Sequence, residues 1–401
     1  MAGLGALAAA SAAAGVDGTW VPAGPMPAGL DAPVFALAAD PSGGGLLLAG
    51  TETGVVLRST DGGASWTATR PGLGRGVAAL AFDPDHPGVV LAGTRGAGVW
   101  RSADGGSTWQ QQAGTEARTV RAFAFSQGVA LAGGDQGVLV SRDGGPWTAA
   151  GLAQVRVSAL AASADAGAPL VAAGGDATQA GEPLPLYVSD DGGRTWSPAS
   201  ASGMAGSGMV SALAVAGELL AGTNAGLFAS ADRGATWRQL TGAGVLPGTD
   251  FTGVAVAPRH PERLYVASDG GGSDRGGLWS SGDGGAHFTA LAPPEPSVTA
   301  LAVSADDVPE VVAATFRPAD HAVAIWTYRD AGGQPSGAVA APGPSAAPGA
   351  SPAPRAAAPA PAPAWRTLLA APETPFLAMA AACLLAVVAA LVAYARRGRP
   401  R

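Results

Sequence analysis

The chain has no lysine: all 23 basic residues are arginine, set against 30 acidic ones for a net charge of −7. Charged residues make up only 13% of the 401, and the one dense basic run is the last six, Arg396-Arg-Gly-Arg399-Pro-Arg401. A nucleic-acid surface needs clustered cations, so no nucleic-acid partner is expected. Cys383 is the single cysteine, so no intrachain disulfide can support the fold and a packed core must. The four histidines, His86, His260, His287 and His321, share no ligand spacing, so no metal site is expected. No glycine-rich loop opens a helix, and no cofactor is expected. Long apolar runs are missing as well, except for one near the C-terminus.

Glycine (61) and proline (33) are abundant instead, which suits an all-β chain with many tight turns. The sequence repeats itself. The pattern Ser-x-Asp-x-Gly-x-Thr-Trp occurs at Ser59–Trp66, Ser102–Trp109, Ser189–Trp196 and Ser230–Trp237, with a shortened copy at Ser141–Trp147 and a Phe-ended copy at Ser281–Phe288. Its aspartates, Asp61, Asp104, Asp143, Asp191, Asp232 and Asp283, are spaced by 43, 39, 48, 41 and 51 residues. That period fits one four-stranded propeller blade.

A first strand recurs seven times, starting at Val34, Val77, Val120, Val157, Val210, Phe251 and Val298. Its small residues suit the crowded strand nearest a propeller axis. A second strand follows each, a third leads into the Ser-x-Asp turn, and a fourth begins at the closing Trp66, Trp109, Trp147, Trp196, Trp237 or Phe288. The seventh repeat keeps only a decayed turn, Arg329-Asp-Ala-Gly-Gly333, and has no fourth strand after it. Gly18-Thr-Trp20-Val-Pro-Ala23 matches the missing strand. The predicted fold is therefore an all-β, seven-bladed β-propeller over 17–333, with an N-terminal strand closing the last blade and removing two open edges.

The turn has a local physical logic. Its aspartate accepts backbone N–H bonds, its glycine takes positive φ, and its Trp is an apolar plate with one N–H to satisfy. One or two carboxylates per turn fall short of the six to eight oxygens that calcium takes, so these residues are read as structural.

The turns resemble the BNR/Asp-box repeat family. Phrases such as Asp83-Pro-Asp-His-Pro87 followed by Leu91-Ala-Gly-Thr94 are similar to its sortilin-like and photosystem II assembly-factor branch. The resemblance implies the propeller fold but not one activity, because relatives include sialidases, xyloglucanases and receptors. The resemblance to sialidases also implies an early Phe/Tyr-Arg-Ile-Pro arginine and a tyrosine nucleophile. The arginine motif is missing from the start of the chain, and Tyr187, Tyr265, Tyr328 and Tyr394 all lie off the first strands. The first strands offer almost no carboxylates for a glycosidase pair. The leading expectation is a non-enzymatic scaffold. The alternative is a sialidase-like or xyloglucanase-like glycoside hydrolase with its acids on loops.

Strand order sets two loop faces. The Asp boxes share one with the first-to-second connections. The other carries the longer, more varied loops, the usual place for recognition on a rigid scaffold. Its candidate binding residues are Glu52, Arg95, Arg118, Asp135, Asp176, Asn224, Asp269, Arg275 and Arg317, for a protein or glycan ligand.

The chain ends complete the expectation. Residues 1–16 are Ala-rich and read as the remnant of a signal peptide. Residues 334–364 hold nine prolines and one charge, Arg355, a semi-rigid spacer with a reach on the order of 90 Å. After a juxtamembrane stretch at 365–375, residues 376–395 form an uncharged run long enough for a transmembrane helix. The basic residues at 396–401 would keep that end cytoplasmic. Together these predict a single-pass cell-membrane protein with an extracytoplasmic propeller. Ala371-Pro-Glu-Thr-Pro375 faintly resembles a sortase signal, with Ala and Pro replacing its first and last residues.

Overall fold

A computed structural model describes residues 17–332, apart from 28–31, 70–74, 164–170, 178–183, 243–244, 246–247, 273–275, 318 and 321. The chain divides into two units, Met1–Gly343 and Pro344–Arg401. The predicted signal remnant, stalk, membrane span and basic tail lie outside the described residues. Among the described residues no helix is long and apolar enough to cross a membrane.

The described residues form seven antiparallel sheets of four strands. In blade 1, Val34–Ala39, Leu47–Thr51, Val56–Ser59 and Thr67–Thr69 pair in that order from the axis outward. The seven innermost strands touch one another in a closed ring, blade 7 against blade 1 included. This is the seven-bladed propeller that the repeat predicts.

Each blade is covered on both faces by its neighbours, so the second strands lose the in-and-out alternation of a half-exposed sheet. Leu47–Thr51 and Val90–Thr94 are buried at every position. The glycine in their shared Leu-Ala-Gly-Thr phrase has a steric cause. A Cβ on Gly50 would stand 2.5 Å from Val77 Cγ1 of the next blade, and one on Gly93 would stand 2.8 Å from Val120 Cγ1. The apolar core lies between blades. One cluster joins Val34, Leu47, Leu57 and Trp66 of blade 1 to Val312, Ala314 and Ile325 of blade 7, and another joins Leu213, Leu219 and Phe228 of blade 5 to Ala159, Ala172 and Leu186 of blade 4.

The ring closes as the sequence predicts. Trp20–Pro22 pairs with Ala322–Arg329, in the register Trp20↔Tyr328, Val21↔Thr327 and Pro22↔Trp326. Trp20 is 1% exposed, its ring lies 5.0 Å from that of Tyr328, and its indole N–H donates to Leu291 O of blade 6 at 2.7 Å. Strands of blades 6 and 7 differ from expectation. The innermost strand of blade 6 starts at Gly253, because Phe251 turns into the core edge-on to Trp279 at 5.7 Å. The blade 7 strands Glu310–Arg317 and Ala322–Arg329 run longer than the 311–315 and 323–328 that the repeat predicts, and they pair residue for residue along their whole length.

Candidate functional site

Five boxes build one hydrogen-bonded turn. In the second, Ser102 Oγ donates to Asp104 Oδ1 at 2.7 Å and accepts from Gly106 N at 2.8 Å. Asp104 also accepts from Thr108 N at 2.8 Å and from Thr108 Oγ1 at 2.6 Å. The same set recurs around Asp61, Asp191, Asp232 and Asp283, where His287 Nδ1 replaces the hydroxyl. The Thr108 side chain and amide hold Asp104 down to about 2, and the equivalent bonds hold Asp232 and Asp283 down to about 2. Asp191 lies below the usual carboxylate range for the same cause. At Asp61, burial pushes up, but the Ser65 and Ser59 bonds outweigh it and the net shift is downward.

Asp143 departs from its predicted role. With one residue fewer in its turn, Ser141 Oγ donates to Gly145 O at 2.6 Å, while Asp143 takes positive φ (48°). The aromatic members divide too. Trp66, Trp147, Trp237 and Phe288 are buried, whereas Trp109 and Trp196 are half-buried. Several indoles latch onto the preceding blade's outer strand region: Trp196 Nε1 to Ala150 O at 2.7 Å and Trp237 Nε1 to Ser200 O at 2.9 Å. Trp109 Nε1 instead donates to Gly106 O within its own turn.

The strand order places the boxes on one face and the loops after each second strand on the other. Glu52, Arg95, Asp135, Asp176, Asn224 and Asp269 each follow the second strand of blades 1 to 6, and Arg317 ends that of blade 7. Arg275 lies outside the described residues.

The structure brings some of these together and separates others. Arg95 lies 4.7 Å above the Phe35 ring and 3.9 Å from Glu52. Asp135 accepts from Arg121 Nε at 2.8 Å and lies 3.4 Å from Arg156, which reaches Asp176 at 3.3 Å. Burial pushes the Asp135 carboxyl up, but the Arg121 hydrogen bond and the charges of Arg121 and Arg156 outweigh it and hold it low. Asn224 serves its own loop, accepting from Gly208 N and Met209 N. Arg118 joins the loop through its backbone, accepting from Gly98 N. Arg317 pairs locally with Glu295 and Asp320. Asp269 accepts from Gly271 N. Asp250, beside it in blade 6, has its carboxyl raised by burial and by the Asp269 charge.

Sequence reasoning missed the residues on the innermost strands themselves. The second position of each repeat reads Phe35, Ala78, Arg121, Ser158, Ser211, Thr252 and Thr299. In six blades the register shifts at this position, a β-bulge that re-aims one side chain. Three hydroxyls clasp the next blade: Ser158 Oγ to Val210 O at 2.8 Å, Thr299 Oγ1 to Val34 O at 2.7 Å and Thr252 Oγ1 to Val298 O at 3.4 Å. Blades 1 to 3 carry Phe35, Ala78 and Arg121 there and have no hydroxyl to do this. Only the alignment of the seven repeats carries a signal, as a column that changes among Phe, Ala, Arg, Ser and Thr.

Five of these positions, in blades 1, 2, 3, 6 and 7, open on a central cavity of about 240 Å³, lined by Phe35–Leu37, Ala78–Ala81, Arg121–Phe123, Thr252–Val254 and Val298–Leu301. A larger cleft of about 600 Å³ lies on the box face at the seam between blades 7 and 1, among Asp61, Asp306, Asp307, Glu310 and Arg329. Burial raises Glu310, with Asp306 adding to the shift.

Among the described residues, several other reactive side chains are occupied. Tyr265 is fully buried, and its hydroxyl donates to Asp330 Oδ2 at 2.6 Å. Arg263 holds the same residue through its carbonyl at 2.6 Å. The decayed box of blade 7 thus anchors blade 6 through Asp330. His86 bonds to Asp83 within its own turn, and His260 to Asp307 O in the turn of blade 7. Among the described residues no group of three or more His, Cys, Asp or Glu could hold a metal ion.

No protein-family model and no curated protein matches the sequence. Solved structures do match. YCF48 bound to D1 peptide superposes with a TM-score of 0.55 at 15% identity, over 77% of this chain and 94% of that one. YCF48 from Cyanidioschyzon merolae gives 0.53 at 15%, over 78% and 99%. The GH74 enzyme of Niastella koreensis gives 0.43 at 19%, over 70% and 53%. At these identities the likeness establishes the fold, a seven-bladed propeller similar to that of YCF48.

Proposed function

We propose that this chain is a membrane-anchored, extracytoplasmic binding or assembly scaffold that captures a protein partner on the loop face of an Asp-box propeller. The observation that carries this reading is the contrast between faces. Five boxes spend their polar groups on one repeated internal turn, whereas the loop face differs in every blade and surrounds an open cavity. A propeller of similar fold is described as bound to a peptide of another protein, which supports a protein ligand over a glycan. The uncharged run at 376–395 behind a proline-rich spacer supports the anchor.

Site-specific photo-crosslinking in intact cells tests the reading. A crosslinker at Glu52 or Asn224 should give a discrete, saturable protein adduct, and one at Ala64 or Gly284 in the boxes should not. Protease added outside the cell should remove the propeller while sparing 376–401. Adducts only from the box positions, or a propeller protected from external protease, would refute it.

A further inference from the structure

The bulge position gives a finer reading of the loop face, one that rests on the function proposed above. In blades 4, 6 and 7 this position is spent on holding the ring together, through hydroxyls that reach the next blade's carbonyl. In blades 1, 2 and 3 the same position points Phe35, Ala78 and Arg121 at the cavity and makes no such clasp. Ala78 is the smallest of the three and stands between the other two in blade order, which leaves a gap flanked by an aromatic ring and a guanidinium. Arg121 is already neutralised by Asp135 at 2.8 Å, so this wall recognises shape and apolar surface more than charge.

The cavity's size and chemistry restrict what can enter. At about 240 Å³ it is smaller than the roughly 300–1,000 Å³ of small-molecule pockets and suits one large side chain. Below the rim the cavity meets mainly the polar backbone of the innermost strands, because Ala36, Leu37 and Leu80 turn their side chains into the buried contacts between blades. The surroundings are charged with opposite sign on opposite sides. Among the described residues Arg95, over Phe35, has Glu52 at 3.9 Å as its one ionic partner, and it is 43% exposed. Blade 6, three blades away round the ring, contributes Asp269 and Asp250, whose buried Oδ1 has no hydrogen-bond partner among the described residues. A few buried anchors carry most of the affinity of a protein interface, and the half-buried Phe35 ring beside the small Ala78 offers such an anchor an apolar surface.

We infer that the loop face binds an extended segment of a partner protein that plants one bulky apolar side chain over Ala78, with an acidic residue toward Arg95 and a basic residue toward Asp250 and Asp269.

The test uses the full 401-residue chain in detergent and a phage-displayed library of random linear dodecapeptides as the probe. Enriched peptides should share an aromatic or large aliphatic residue flanked by opposite charges. Ala78→Trp, which fills the gap, should weaken a synthetic consensus peptide about tenfold or more, the scale of a hot-spot contact. Phe35→Ala should weaken it too, and Ala64→Trp on the box face should leave it unchanged. Thermal melts accompany each variant, and Ala78→Phe stands in if the Trp variant is misfolded. Peptides that bind through the loop face, lost on Asp135→Arg but indifferent to Ala78→Trp and Ala78→Phe, would overturn the anchor and leave the loop-face reading standing. Binding blocked only by Ala64→Trp overturns both. An unenriched library, or saturable binding of a glycan array in its place, also counts against the anchor.

Discussion

The box face and the loop face are made by the same seven blades, yet one is nearly uniform and the other different in every blade. On the box face Asp61, Asp104, Asp191, Asp232 and Asp283 spend their carboxylates on the same three donors, a serine hydroxyl two residues back and an amide and a side chain four residues on. On the loop face the residue after each second strand does something different in each blade. Arg95 covers a ring, Asp135 joins two arginines, and Asn224 ties down its own loop. Repetition marks what every blade needs to hold its shape, and individuality marks where the molecule is free to specialise.

The sharpest way to break this comparison is at the seam that closes the ring. Deleting residues 1–24 removes Trp20, with its bond to Leu291 O, and exposes the edge of Ala322–Arg329. The loss should exceed the roughly 3–5 kcal/mol of one buried Trp and leave an aggregating or non-cooperatively melting protein by light scattering and calorimetry. An intact-like melt would show that the strand is dispensable.

Next in size is the split among the box aromatics. Trp237 is 6% exposed and latched to Ser200 O, so Trp237→Ala should cost about 3–5 kcal/mol in denaturant unfolding. Half-buried Trp109, bonded only to its own turn, should cost clearly less. Equal losses would mean that the inter-blade latch contributes nothing.

Acid gives a smaller, signed effect. Asp104 titrates at about 2 in the folded chain, below the unfolded value of about 3.9. Its contribution is present above pH 4 and is lost as pH falls through the folded value. Asp104→Asn should cost about 0.5–1.5 kcal/mol at pH 7, the net worth of a hydrogen bond at this exposed turn, and almost nothing near pH 2. Glu310 has the opposite sign, because burial raises it. Its charged form opposes folding, so Glu310→Gln should stabilise the protein at pH 7 and not below the unfolded pKa. Urea midpoints across pH would check both slopes.

The smallest stability effect belongs to the loop face. Asp135 is 35% exposed in its pair with Arg121, so Asp135→Ala should change stability by at most about 1 kcal/mol. A large loss would make the ion-pair chain part of the scaffold.

The repeat made most of the fold legible. The Ser-x-Asp turns gave the blade period, the Leu-Ala-Gly-Thr phrase located second strands, and the orphan Trp20 pointed to the closing strand. Strand ends were less legible where tertiary packing decided them, as at Phe251, whose ring turns into the core. Asp143 could not be read from its box because dropping one residue changes which groups reach the turn. The candidate site was legible as a face and not as a set of contacts. Arg121 looked like one arginine in a buried strand. Only the bulge, a shift in strand register, turns it toward the cavity, and nothing in its immediate sequence announces that.

Hydrogen exchange with and without a bound partner segment tests the division of labour most directly. The account predicts new amide protection in the loops at 52–55, 95–98 and 118–121, with no change in the box turns at 61–65 and 104–108. Protection confined to the box turns, with the loops unaltered, would contradict it.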